Sequence, residues 1–220
     1  MKIAIIGAGQ IGGTLTRRLT ALGHDVTVAN SRTPDTISEL TSETGAHGAL
    51  AADAPRDAEL VVVTIPTKNI PTLSKDLLAD VAEEVVVVDT NNYYPRQRDG
   101  RIAEIEDGLT EASWVAEQLG HTVIKVFNNI YFKHLLEKGA PAGEPERIAL
   151  PVAGDDQKAK DVVLALVDQL GFAPIDAGSL DESWRQQPGT PVYGTDLDAD
   201  GVRAALAQAS PERPEEFRAQ

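Results

Sequence analysis

An apolar run, Lys2-Ile3-Ala4-Ile5-Ile6, leads directly into Gly7-Ala8-Gly9-Gln10-Ile11-Gly12, and a segment with helical apolar spacing follows. Few folds accept that order. A buried strand that turns on glycine straight into a helix commits the chain to a mostly parallel sheet with helices packed against it. The three glycines act differently. Gly7 permits the tight turn, Gly9 lets backbone approach a pyrophosphate, and Gly12 lets the helix sit close on the strand. The helix N-terminus then presents free N–H groups and a positive dipole end to an anion. Strand, glycines and helix together predict a dinucleotide held by Gly7, Gly9, Gln10, Ile11 and Gly12.

The end of the second strand predicts which dinucleotide. Gly23 closes the first helix, Asp25-Val26-Thr27-Val28-Ala29 reads as strand, and Asn30-Ser31-Arg32 then falls at the ribose-contact position, about 20 residues past the glycines. No carboxylate stands there to accept from both ribose hydroxyls and repel a 2′-phosphate. Ser31 and Arg32 instead offer a hydroxyl and a forked cation, so Asn30, Ser31 and Arg32 are expected to hold NADP(H) rather than NAD(H).

Short apolar runs alternate with helical segments through most of the remaining sequence, the rhythm of a doubly wound α/β sheet covered on both faces. Helix is expected over Pro34–Thr44, Asn69–Ala79, Thr110–Leu119 and from a cap at Asp155 to Leu170. Strand is expected at Ala49-Leu50, Glu59–Ile65, Glu84–Asp89, His121–Phe127, Ile148–Ala153 and Ala173–Asp176. Residues 90–108 and 139–146 read as loops. From Gln187 onward prolines, glycines and acids predict an extended arm with one short helix near Val202–Ala209. The expected organisation is a Rossmann-type single domain, residues 1–186, carrying a C-terminal arm, residues 187–220.

Composition narrows the function. A net charge of −14 sets the chain against nucleic acid and anionic membranes, whose phosphates it would repel. With no cysteine, disulfides, thiolate metal sites and cysteine nucleophiles are excluded, and redox chemistry has to come from a cofactor. The first strand opens at residue 2, so no signal peptide is expected, and no apolar run approaches the length of a membrane span. The expected location is the cytoplasm, and no metal site is expected.

In an open parallel sheet, ligands bind at the carboxyl ends of the strands. Those ends are Thr64-Ile65-Pro66, Asn91-Asn92-Tyr93 and Asn128-Asn129-Ile130-Tyr131: neutral hydrogen-bonders and aromatics suited to orienting a nicotinamide and a second planar ring. Thr64, Ile65, Pro66 and Asn91 are expected on the cofactor. Hydrolytic signatures such as GxSxG and HExxH are absent from the sequence. Tyr93 and Lys125 could assist proton transfer to a carbonyl or imine, and Tyr93 and Asn128 are the residues nearest a catalytic role. His24, His47, His121 and His134 are isolated in sequence and read as structural or surface residues. Trp184, Val192, Tyr193 and Leu197 could serve a homodimer interface or pack within one chain.

The fingerprint, the Ser31-Arg32 pair, Val63-Thr64-Ile65-Pro66, and the late segments Val152-Ala153-Gly154-Asp155-Asp156 and Ile175-Asp176-Ala177-Gly178-Ser179-Leu180 together resemble the coenzyme F420-dependent NADP oxidoreductase family, over residues 1–185. The resemblance implies a small Rossmann protein, commonly dimeric, that passes hydride between NADP(H) and a deazaflavin by positioning alone, with no catalytic residue required. Phe127-Asn128-Asn129 departs from the deazaflavin enzymes and is similar to the reductase domain of membrane ferric reductases. The hydride acceptor therefore stays open between the deazaflavin coenzyme F420, a flavin, and a carbonyl or imine. A non-enzymatic NADPH sensor is the alternative from another class.

Overall fold

The computed structural model describes residues 1–79, 81–82 and 84–220. Its elements alternate along the chain: β1 (Lys2–Ile6), α1 (Gln10–Ala21), β2 (Asp25–Asn30), α2 (Ser38–Thr44), β3 (His47–Leu50), β4 (Leu60–Val63), β5 (Val86–Asp89), α3 (Ala103–Glu106), α4 (Glu111–Leu119), β6 (Ile124–Lys125), α5 (Phe132–Glu137), β7 (Ala149–Val152), α6 (Gln157–Gln169), β8 (Ala173–Asp176) and α7 (Ala199–Gln208). Strands β3-β2-β1-β4-β5-β6 form a six-stranded parallel sheet in that order, so strand order reverses between β1 and β4. This is the expected Rossmann-type α/β fold.

Side chains along β1 alternate between the two faces. Ile3 and Ile5 join one apolar cluster with Leu15 and Leu19 of α1 and Val163 and Leu166 of α6. Ala4 and Ile6 join another with Ala112 and Val115 of α4. Both clusters are almost fully buried, which is why β4 and β5 read as unbroken valine runs rather than as alternating strands.

Three expectations are corrected. The Asn69–Ala79 helix is only a 3₁₀ stretch over Thr67–Thr72, because Pro71 lacks the N–H and the space a helix interior needs. The His121–Phe127 strand shrinks to two residues: Phe127 has a φ of 61°, which ends the pairing. The α6 cap is Asp156, whose Oδ1 accepts the N–H groups of Lys158 at 2.9 Å and Ala159 at 3.1 Å, whereas Asp155 reaches instead to the Leu180 N–H at 2.9 Å. Helix α5 and a 3₁₀ stretch over Leu180–Gln186 were not anticipated. The latter carries a capping box readable from Ser179-Leu180-Asp181-Glu182.

Strands β7 and β8 continue the βα pattern but form a separate two-stranded parallel sheet. It meets the main sheet through one antiparallel bridge, in which Lys125 and Ala153 exchange N–H···O bonds of 2.8 and 3.0 Å. Helix α7 closes over it, burying Val202, Ala205 and Leu206 against Ala149 and Ile175. The arm folds back on the chain: Val192 is fully buried and Leu197 packs beside it, so these positions are satisfied internally. Among the described residues no helix is long and apolar enough to cross a membrane.

Candidate functional site

The carboxyl ends of β1, β4, β5 and β6 open into one cleft of about 670 Å³ at the reversal of strand order. Its edge holds Gly9, Gln10 and Ile11. Behind them the fingerprint is fixed by packing: a Cβ on Gly7 would meet the Thr64 carbonyl oxygen at 2.1 Å, and one on Gly12 would meet the Gly7 carbonyl oxygen at 1.8 Å. Gly9 differs, since a Cβ there would find nothing within 4 Å. Space is left open at Gly9, the residue preceding α1, and no side chain caps the helix there.

Thr64, Ile65 and Pro66 form the adjoining wall. The Ile65 N–H donates to Asn91 Oδ1 at 3.1 Å, which leaves the buried Asn91 Nδ2 without a partner. Asn129, also buried in this lining, has neither its Nδ2 nor its Oδ1 paired. Unpartnered buried amides are costly, and polar groups left open in a cleft are what a ligand carboxamide or ring carbonyl would satisfy. Open space at Gly9, free N–H groups on α1 and these amides fit a nicotinamide dinucleotide.

Asn30, Ser31 and Arg32 lie at the end of β2, outside this cleft and next to the fingerprint, where the Gly7 N–H donates to Ala29 O at 2.8 Å. Asn30 Oδ1 accepts the Arg32 N–H at 2.8 Å and its Nδ2 donates to Thr36, which fixes the turn. Ser31 and Arg32 are exposed, and among the described residues no carboxylate lies within 4.0 Å of the Arg32 guanidinium.

The proton-transfer candidates are corrected. Tyr93 is fully buried away from the cleft; its hydroxyl donates to Glu106 at 2.9 Å and accepts the Ile102 N–H at 3.0 Å, and burial pushes it up to about 12. Lys125 points inward, 0% exposed, with Nζ at 2.9 Å from Asp89 Oδ2 and bonded to the Asn91 carbonyl. That pair braces the loop after β5, since Asp89 Oδ1 also accepts the Asn91 N–H at 2.8 Å. Asn128 lines the cleft, but its carboxamide is spent: Nδ2 donates to Gln186 O at 2.7 Å and Asn92 Oδ1 at 3.2 Å, and Oδ1 accepts from Gln186 Nε2 at 3.0 Å.

The sequence reading missed Tyr94, Arg98, His134 and Tyr193 as wall residues. Arg98 sits on a π-helical turn, Pro95–Asp99, and Tyr94 immediately precedes it, inside the segment read as a long loop. The His134 Nδ1 lies 2.8 Å from Asp196 Oδ1, and Lys138 Nζ lies 2.8 Å from Oδ2, so the arm is tied to α5 beside the cleft. Burial works against the Asp196 carboxylate, but these hydrogen bonds outweigh it and hold the group below its ordinary range. A pKa lowered by folding stabilises above the unfolded value, about 3.9 for Asp, and that contribution fades as pH falls through the lower folded value. The stability gap between the wild type and Asp196→Asn in urea unfolding is expected to be widest at neutral pH and to close in acid. A gap unchanged through the acid range overturns this tie.

A second cavity, of about 770 Å³, lies between the C-terminal segment and the α3–α4 region. It contains none of the fingerprint residues.

Comparison with known proteins bears on this geometry. A model of the family described as NADP oxidoreductase, coenzyme F420-dependent, matches residues 2–93. The structure of hypothetical protein SMa0349 from Sinorhizobium meliloti is 30% identical, covers 91% of this chain and 96% of its own, and superposes with a TM-score of 0.75. A protein from Arthrobacter sp. FB24, provisionally assigned as an F420-dependent NADP reductase, is 26% identical over 81% of this chain and 85% of its own, with a TM-score of 0.66. The rat metalloreductase STEAP3 is 27% identical over 180 residues, 81% of this chain and 34% of that protein. The chain spans less than half the length of the curated relatives it matches.

Proposed function

The chain belongs to the family of coenzyme F420-dependent NADP oxidoreductases, and from that premise we propose that it passes hydride between NADP(H) and a deazaflavin, or a similar planar acceptor, held in the cleft at the ends of β1, β4, β5 and β6. The observation that carries this reading is the meeting of the glycine fingerprint and a floor of neutral amides in one cleft. A direct hydride transfer needs two rings in near-attack geometry and no proton donor. The two side chains that the sequence singled out for proton transfer, Tyr93 and Lys125, are buried in structural roles.

NADPH, when bound, supplies the hydride. The chain supplies the placement. The N-terminal N–H groups of α1 receive the pyrophosphate, with Gly9 leaving room for it. Arg32 and Ser31 take the 2′-phosphate. Thr64, Ile65, Pro66 and Asn91 form the wall that orients the nicotinamide, and the partner ring rests against the lining from β5 and β6. A small-molecule acceptor in the cytoplasm agrees with the acidity of the chain, which opposes nucleic-acid partners.

Two measurements test the reading. Mixing the protein with NADPH and oxidised deazaflavin is expected to bleach the visible absorbance of the deazaflavin but not that of a flavin mononucleotide control. No bleaching while NADPH binds overturns the acceptor and moves the assignment to a flavin, carbonyl or imine, or to a sensor. For the cofactor, Arg32→Ala is expected to weaken NADPH binding by about 10- to 100-fold, as loss of a charge-assisted phosphate contact does, and to leave NADH unchanged. If the preference for NADPH survives intact, Arg32 does not read the phosphate.

A further inference from the structure

We infer that Tyr193, brought in by the C-terminal arm, forms with Tyr94 a paired-hydroxyl site that donates a hydrogen bond to a ring carbonyl oxygen of the second substrate. The inference rests on reading this cleft as the nicotinamide and acceptor site.

The two hydroxyls bond to each other across the lining although 99 residues separate them. Both rings are half-buried, and both line the same cleft as Gly9, Gln10 and Ile11. Tyr193 is held there by its neighbour: the Gly194 N–H donates to Asn129 O at 2.9 Å, directly beside the unpartnered Asn129 carboxamide. Tyr94 packs against the Arg98 guanidinium, 5.1 Å from its ring centroid, and against the Phe217 ring at 6.5 Å. The arm therefore grips the Tyr94 wall at two points.

A pair of hydroxyls has two hydrogens, and the bond between them uses one. The other is left for the cleft. Burial raises both groups above the ordinary tyrosine range, so at neutral pH the pair stays protonated and acts as a neutral donor rather than a base. A neutral donor satisfies a carbonyl oxygen but leaves the charge of a carboxylate uncompensated once it is desolvated. A carboxylate would need Arg98, whose Nε is already 2.9 Å from Asp99 Oδ1. The chemical class that fits is a flat ring edged by carbonyl groups, with its body against the tyrosines and its polar edge toward the Asn129 amide. Tyr193 is thus a specificity-determining residue contributed by a segment with no part in the dinucleotide fingerprint.

The test uses the full chain with Tyr193→Phe, Tyr94→Phe and the double variant. Binding of oxidised deazaflavin is followed by its fluorescence without NADPH, and binding of NADPH by its own emission. Each single variant is expected to bind deazaflavin about 5- to 10-fold more weakly, the range for loss of one neutral hydrogen bond, with NADPH affinity unchanged. The double variant is expected to lose little more, because both residues serve one donor. Under turnover the loss should fall on the KM for the acceptor rather than on that for NADPH. Equal deazaflavin affinity in the wild type and both single variants overturns the inference. So does a parallel loss of NADPH affinity, which would make the pair a brace. Wild-type protein that binds flavin mononucleotide instead of the deazaflavin overturns the proposed acceptor alone, and the same variants then decide the tyrosine pair with that ring. Wild-type protein that binds neither ring overturns both.

Discussion

Gly12→Ala is expected to cost about 3 kcal/mol of stability or more, a drop in Tm of roughly 6–12 °C for a chain of this size, and to abolish NADPH binding. The added Cβ would lie 1.8 Å from the Gly7 carbonyl oxygen and 2.8 Å from Thr64 Cγ2. The nearer contact cannot be relieved by rotating a side chain, because that oxygen is backbone in the turn itself. Helix α1 must move off β1, and the fingerprint opens. Gly9→Ala is the control. Its Cβ enters open space, so thermal stability should hold while NADPH affinity falls by more than about tenfold, because the methyl occupies ground that a pyrophosphate needs. Calorimetry and NADPH titration on the two variants separate packing from ligand contact. A Gly9→Ala protein that binds NADPH like the wild type would remove the dinucleotide from this turn.

Breaking the buried Asp89–Lys125 pair is the second large effect. Both side chains are 0% exposed and 2.9 Å apart, so Lys125→Met leaves the Asp89 charge in the interior without its counter-ion. Loss of one partner in that setting costs about 3–5 kcal/mol, whereas removing both charges is far less damaging. Urea unfolding should therefore show Asp89→Asn/Lys125→Met recovering at least half of what Lys125→Met loses. Because Lys125 also holds the Asn91 carbonyl, NADPH binding should weaken in the single variant as well. A loss below about 1 kcal/mol would mean that the pair is solvated and braces nothing.

The strand, glycine turn and helix of the first half were legible in the sequence because their physics is local. Gly7, Gly9 and Gly12 act within a dozen residues of one another, and the apolar runs of β1, β4 and β5 announce burial on both faces. Errors arose where the deciding contact is distant or where one residue overrides a pattern. Pro71 breaks an otherwise helical spacing. A lysine inside a strand reads as outward-pointing until Asp89, 36 residues earlier, is placed beside it. Tyr193 carries no periodic signal at all; only the folded arm brings it to Tyr94. The same holds for Arg213, whose guanidinium lies 2.8 Å from the buried Glu111 carboxylate. Burial raises that carboxyl above its ordinary range despite the arginine, a conflict invisible in either segment alone.

The two borders of the main sheet bear on how copies of this chain could meet. One border is β3, four residues long with Gly48 in its middle and an exposed His47 at its start. The other is β6, two residues long and already partnered by Ala153. Short or covered edges offer little ladder for a foreign strand. Continuation of the sheet from one molecule into the next is disfavoured at both ends, which guards an acidic, valine-rich chain against growing into fibres and leaves self-association to its helices and loops.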